Sequence, residues 1–232
     1  MRIALIADLH GNWPATQALE RDLAMQNPDR IICLGDLVGK GPSNVLTYEW
    51  VMAHCHVVLG GNWDYGLGEK RFPMDGFYWQ QLGEARLERL RNLPREHHLN
   101  VSGRQIRLFH GRPVMEDLVT IRHDSQAIQA FFQGEDGRRF DVVGYGDAHR
   151  QGLRTMNPGL FFNCGSVGNA LGEPRCCYAL MEGEERGSGP FELRFRSLDY
   201  DRRQAVLDAE NTPEIPRIDR YIIEIQTGVY SR

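Results

Sequence analysis

The chain has no long apolar run, no paired-cysteine spacing and no surplus of positive charge, and each absence removes a class of protein. No apolar stretch among the 232 residues approaches the roughly 18 that a membrane-spanning helix needs. The apolar run before Asp8 is also too short for the core of a signal peptide, so a cytoplasmic protein with no membrane attachment is expected. Five cysteines, Cys33, Cys55, Cys164, Cys176 and Cys177, are odd in number and lack a C-x-x-C pair. Neither a disulfide framework nor a structural zinc site follows, and they read as small buried hydrophobes. Lys and Arg number 27 against 31 Asp and Glu, a net charge of −4, so a nucleic-acid coat is not expected, although a local basic groove stays open. There is no internal repeat and no low-complexity segment.

With 41% apolar and 25% charged residues, the chain fits one globular domain over residues 1–232. Short apolar runs at 2–7, 30–34 and 57–59 alternate with amphipathic helical patterns at 15–26 and 44–53, a β-α-β-α-β order that implies a mostly parallel sheet. A helix-rich stretch at 77–93 ends at Pro94. The second half turns to short strands at 105–109, 141–145, 161–164, 176–181 and 191–197, with helices only at 125–133 and 202–209. This predicts a second, mixed sheet packed on the first with helices outside. Residues 182–190 read as a hairpin loop, and the Pro-punctuated part from Asn211 on shows no clear element.

Polar clusters follow several of these strands, where an open α/β sheet places its ligands. They are D-L-H-G-N (Asp8 to Asn12), G-D-L-V-G-K-G-P (Gly35 to Pro42), G-N-W-D (Gly61 to Asp64), F-H-G (Phe109 to Gly111) and G-D-A-H (Gly146 to His149). Asp8 and His10 stand at i and i+2, so continued strand geometry would point both to one side. Asp147 and His149 repeat that spacing. Carboxylate with imidazole, and no thiolate cluster, suits manganese or iron, with zinc admissible. Two divalent ions about 3.5–4 Å apart can clamp a phosphate and acidify a water, and they require a bridging carboxylate. Asp36, alone in a Gly-framed turn, is the candidate. Each piece by itself is ordinary; their joint occurrence in this order is specific.

The series Asp8-x-His10, Gly35-Asp36 with Gly41-Pro42, Gly61-Asn62, His110-Gly111 and the cluster ending at His149 resembles the calcineurin-like metallophosphoesterase superfamily. N-C-G-S-V-G (Asn163 to Gly168) and S-L-D-Y-D (Ser197 to Asp201) resemble its small bacterial and archaeal phosphodiesterase branch. The resemblance implies an α/β/β/α sandwich of two mixed sheets flanked by helices. It implies one ion on Asp8, His10, Asp36 and His149 and another on Asp36, Asn62, His110 and Asp147. The implied reaction is hydrolysis of a phosphodiester, phosphoanhydride or phosphomonoester by direct attack of a metal-bridging hydroxide. The alternative is a non-catalytic metal-binding scaffold, since one branch of the family serves in a membrane-trafficking coat.

Two departures matter. Trp63 stands where the superfamily usually has a histidine that protonates the leaving group, which favours leaving groups that are already weak bases and hence nucleotide-type substrates, including dinucleoside polyphosphates. Asp147 replaces a second histidine, which favours a hard cation; it could instead simply cap a turn. Arg112 reads either as a phosphate-binding guanidinium or as a solvated loop arginine. Asp64 is a candidate orienting partner, His123 a substitute proton donor, the turn at Gly165, Ser166 and Gly168 a candidate phosphate nest, and the cluster Phe72, Phe77, Tyr78 and Trp79 a candidate base-stacking surface, although helix packing accounts for Trp79 and Leu82 equally well and is the preferred reading.

Overall fold

A computed structural model describes residues 1–231. The elements run β1 (Arg2–Ile6), α1 (Trp13–Gln26), β2 (Arg30–Cys33), α2 (Asn44–His54), β3 (Val57–Val58), α3 (Asn62–Gly68) and α4 (Gly76–Arg91). They continue β4 (Glu96–Val101), β5 (Arg104–Phe109), α5 (Ser125–Gln129), β6 (Val142–Tyr145), β7 (Gly152–Thr155), β8 (Leu160–Asn163), β9 (Cys176–Gly183), β10 (Phe191–Leu198), α6 (Arg202–Glu210) and α7 (Ile218–Thr227).

Two five-stranded sheets result, ordered β10-β9-β1-β2-β3 and β4-β5-β6-β8-β7. In the first, β1, β2 and β3 are parallel and the β9–β10 hairpin closes antiparallel onto β1. In the second, β5, β6 and β8 are parallel between antiparallel edges β4 and β7. Strand alternation sorts the side chains into layers. Ile3, Leu5 and Ala7 of the first sheet meet Ile106, Leu108, Val142 and Phe162 of the second. On the opposite face of β1, Ala4 and Ile6 pack under Leu19 and Leu23 of α1 and Val51 of α2. Phe109, Val143, Tyr145 and Phe161 form the outer core of the second sheet with Ile128 and Phe132. This is the expected α/β/β/α sandwich.

Asn12 caps α1, its Oδ1 accepting from Ala15 N at 3.2 Å, and thereby also tethers the loop that carries Asp8 and His10. The helix expected at 77–93 is broken at Gly83, whose φ of 72° and ψ of 161° lie outside helical space. Four elements appear where none is expected: α3, β4, β7 and α7. The last packs its buried Tyr221 and Ile225 against Ala205 and Ala209 of α6. Among the described residues no helix is long and apolar enough to cross a membrane.

Candidate metal centre

The parallel strands β1, β2, β5 and β6 all end at one edge of the sandwich, and the polar clusters follow those ends. Backbone bonds extend the ladders into the loops: Asp8 N to Gly35 O at 2.9 Å, His10 N to Asp36 O at 3.1 Å, and Gly146 N to His110 O at 2.7 Å. The expectation that Asp8 and His10 share a side because the strand continues is not met. β1 stops at Ile6, and Asp8 and His10 take left-handed φ values of 57° and 47°. Asp36 (54°), Asp147 (61°) and His149 (56°) do the same. Non-glycine residues rarely adopt this conformation, and its concentration at the proposed ligands marks backbone strain held by the surrounding loops.

Asp8 and His10 are fully buried, Asp36 and His110 are 1% exposed, and His149 is 5% exposed. Each histidine directs Nδ1 at a backbone carbonyl: His10 at Val38 O (3.2 Å), His110 at Leu34 O (2.9 Å) and His149 at Asn169 O (2.7 Å). A carbonyl only accepts, so each Nδ1 carries a proton, and each ring, when neutral, turns an Nε2 lone pair inward. His149 Nε2 lies 3.3 Å and His10 Nε2 3.8 Å from Asp8 Oδ1. His110 Nε2 lies 3.8 Å from that same oxygen. Asp36 Oδ2 stands between two histidines, 3.5 Å from His10 Nε2 and 3.4 Å from His110 Nε2.

These atoms form two ligand groups, Asp8 with His10 and His149, and Asp8 with Asp36 and His110. Asp8 is therefore common to both, alongside the expected bridging candidate Asp36. Both oxygens of Asp8, Asn62 Oδ1 and His110 Nε2 are buried without a hydrogen-bond partner. Buried acceptors left unmatched cost free energy unless a cation satisfies them, so the donor set fits divalent metal. The carboxylates favour positive charge at this point: burial works against a charge on His110, yet Asp36, Asp8 and Asp147 overcome it and push its pKa up to about 10, so that without a cation a proton takes that place. The thiols of Cys33, Cys164 and Cys176 are pushed up by burial, which keeps them protonated and out of metal chemistry.

Asp147 and Arg112 depart from the arrangement expected of them. Asp147 Oδ1 is 4.0 Å from His110 Nε2, and both of its oxygens are taken by Arg112, through Nη2 at 2.7 Å, Nε at 2.9 Å and the backbone N at 3.0 Å. Burial would raise the Asp147 pKa, but the Arg112 hydrogen bonds and the His110 charge hold it at about 2. Gly111 permits this approach, since a Cβ there would sit 2.6 Å from Asp147 Cβ. The guanidinium expected at a phosphate and the carboxylate expected at an ion thus face each other.

Other candidates resolve individually. Asp64 accepts from Asp36 N (2.7 Å), Gly61 N (2.9 Å) and Leu37 N (3.1 Å), and so ties together the loops bearing Asp36 and Asn62. Burial and the Asp36 charge push its carboxyl up to about 8. Gly61 is required there, because a Cβ would lie 2.1 Å from Asp36 Oδ1. Trp63 donates its backbone N–H to Asp36 Oδ1 at 2.9 Å while its indole lies edge-on to His10. The turn expected as a phosphate nest spends its N–H groups on the protein, Val167 N on Ala7 O and Gly168 N on Asp8 O, both at 2.9 Å. His123 is exposed and accepts from Thr120 N, away from the centre.

The centre opens into a cleft of about 1360 Å³ lined by Asp36, Asn62, Trp63, Asp147 and His149. The same cleft collects Lys40, Arg71, Arg91, Arg95, Arg112, Arg150 and Arg217 against Asp36, Glu69, Asp75, Glu116 and Asp147, a mixed lining with a small excess of cations in an acidic protein. Phe72, 52% exposed, and Tyr230, 59% exposed, add aromatic surface to its wall. Only Arg112 among these arginines stands out in the sequence, because the others come from separate parts of the chain.

A two-sheet sandwich with carboxylates and imidazoles at the strand ends defines a metallophosphoesterase fold. The model of the calcineurin-like phosphoesterase superfamily domain matches residues 1–186, and the chain belongs to that family. A metallophosphoesterase from Sphaerobacter thermophilus is 21% identical with a TM-score of 0.76, covering 99% of both chains. A protein from Pyrococcus horikoshii is 18% identical with a TM-score of 0.77 over 99% of both. An uncharacterised protein of Methanocaldococcus jannaschii is 23% identical over 228 residues, covering 88% of this chain and 89% of its own.

Proposed function

We propose that the chain is a metal-dependent phosphoesterase acting on nucleotide-type substrates at two divalent ions, manganese or iron in preference to zinc. The observation that carries this reading is the convergence of three imidazole Nε2 atoms on the buried Asp8 and Asp36 carboxylates at the floor of an arginine-lined cleft. In this reading Asp8, His10, Asp36 and His149 hold one ion. Asp36, Asn62 and His110 hold the other, with Asp147 available to it when Arg112 lets go. Bound there, the ions would supply Lewis acidity, polarising phosphate oxygens and lowering the pKa of water. Asp36 joins the two positions, Asn62 orients a phosphate oxygen, and Arg112 neutralises charge at the cleft wall. Basic and aromatic lining together suit a phosphorylated small molecule that carries a base.

The test is metal analysis of the purified protein with turnover of bis(p-nitrophenyl) phosphate and a panel of nucleotides. Two ions per chain, hydrolysis that Asp36→Ala abolishes, and preference for nucleotides are expected. Bound metal without turnover of any phosphoester would leave a metal-binding scaffold instead.

A further inference from the structure

Lys40 is a chemically odd residue for its position: a cation only 6% exposed, four residues after Asp36 and beside a centre that is meant to bind cations. Its Nζ donates to Asn169 Oδ1 at 2.7 Å. Across from it, 3.9 Å away, lies the carboxylate of Glu224, fully buried on α7. Tyr221 of the same helix lies against Gly41, where an added Cβ would come within 2.9 Å of the phenol oxygen. The C-terminal helix, which lies beyond the residues matched by the family model, thus reaches the loop next to the metal ligands.

The Lys40–Asn169 bond joins two loops with a shared task. Val38, two residues before Lys40, supplies the carbonyl that fixes the His10 ring. Asn169 supplies the carbonyl that fixes the His149 ring. Asn169 is further held by Ser166 Oγ, which accepts its N–H at 2.8 Å and donates to Asp8 O at 2.9 Å. The three ligands of one group, Asp8, His10 and His149, are therefore oriented by backbone that Lys40 ties together. Among the described residues no equivalent tie runs to His110, whose Nδ1 is set by Leu34 O in β2's extension.

Resting on the metal-centre reading above, we infer that Glu224 and Lys40 are positioning residues for the ion held by Asp8, His10 and His149. Glu224 compensates the buried ammonium, the ammonium holds Asn169, and Asn169 holds His149 in its ligating tautomer. Partners of this kind around metal-ligating histidines typically change metal affinity by about 10–100-fold when removed.

The experiment titrates manganese into metal-stripped full-length protein and reads both binding steps by calorimetry, with thermal melts in the presence and absence of the metal. For Glu224→Gln and Lys40→Met, one of the two steps should weaken by about 10–100-fold, and the other should stay within about twofold. The rise in melting temperature that metal produces should shrink in each variant. A purely structural role would lower the melting temperature equally with and without metal and leave both steps unchanged, and that result overturns the inference. Should Glu224→Gln fail to fold because it strands a buried cation, the double variant Lys40→Met with Glu224→Gln carries no such charge. It should fold and still show the weakened step; wild-type binding in the double variant also overturns the inference. Failure of the wild-type protein itself to bind manganese would count against the metal centre as a whole.

Discussion

His10 Nε2 and His149 Nε2 face each other at 3.1 Å, although each ring already carries its proton on the opposite nitrogen. Two lone pairs at that distance repel, and what relieves them is a cation between them or a proton on one. The arrangement therefore predicts strong linkage between metal and stability. Metal at about 100 times its dissociation constant adds about 2.7 kcal/mol, which in a chain of this size raises the melting temperature by about 5–10 °C. Chelation should remove that increment, and His149→Gln should remove most of it while leaving the metal-free melting point nearly unchanged. A wild-type protein whose melting curve ignores chelator would count against the site.

Arg112 and Asp147 compete for roles, since one guanidinium face cannot bind the carboxylate and a phosphate with the same N–H groups. Arg112→Ala releases Asp147 toward the ion grouped with His110. Metal titration should then show that ion binding about tenfold more tightly, and steady-state kinetics should show a raised KM for anionic substrates. Asp147→His, which restores an imidazole, should move the preference toward zinc in reconstitution with mixed metals. Unchanged selectivity would mean that Asp147 serves only to anchor Arg112.

A second carboxylate gives a prediction free of metal. Asp22, on the buried face of α1, accepts from Arg196 at 2.6 and 3.1 Å and from the Tyr178 hydroxyl at 2.5 Å. Burial opposes its charge, but Arg196 and Tyr178 prevail and lower its pKa below the ordinary 3.8. The folded state thus binds this proton more weakly than the unfolded state does. The stabilisation is fully present above pH 3.8 and is lost as pH falls through the lower folded-state value. Asp22→Asn should cost about 2–3 kcal/mol at neutral pH. Denaturant titration should find the two proteins converging in strongly acidic buffer; a pH-independent gap would refute the assignment.

The parallel strands and the loop clusters were legible because apolar runs ended at short polar motifs, and those motifs are where β1, β2, β5 and β6 stop. The geometry between motifs was less so. The i, i+2 spacing of Asp8 and His10 promised a shared side through strand pleating, whereas two left-handed residues produce it. G-N at Gly61 and Asn62 reads equally as a turn and as the start of α3, and only the clamp by Asp64 decides. Arg112 meets Asp147 across 35 residues of chain, a contact that no local pattern encodes. α7 carried its signal in Ile218, Tyr221, Ile222 and Ile225, at helical spacing, but Pro213 and Pro216 just before it obscured the pattern.

Trp63 sets the last expectation, because its indole occupies the space over Gly39, where even a Cβ would lie 2.3 Å from the ring. The three histidines of the centre have their Nδ1 protons committed to carbonyls, and their Nε2 atoms face the carboxylates. With metal on those Nε2 atoms, the described residues at the floor of the cleft offer no imidazole to protonate a leaving group. Turnover should depend steeply on leaving-group basicity, with aryl diesters and phosphoanhydrides cleaved far faster than dialkyl diesters. Trp63→His supplies an acid at that place. It should raise kcat on an alkyl diester by about 10²-fold or more, the usual scale of general acid catalysis, and change bis(p-nitrophenyl) phosphate turnover much less. The backbone N–H of residue 63 still serves Asp36 in the variant, so metal content should not change. Equal kcat values for alkyl and aryl diesters in the wild-type protein would mean that another group donates the proton.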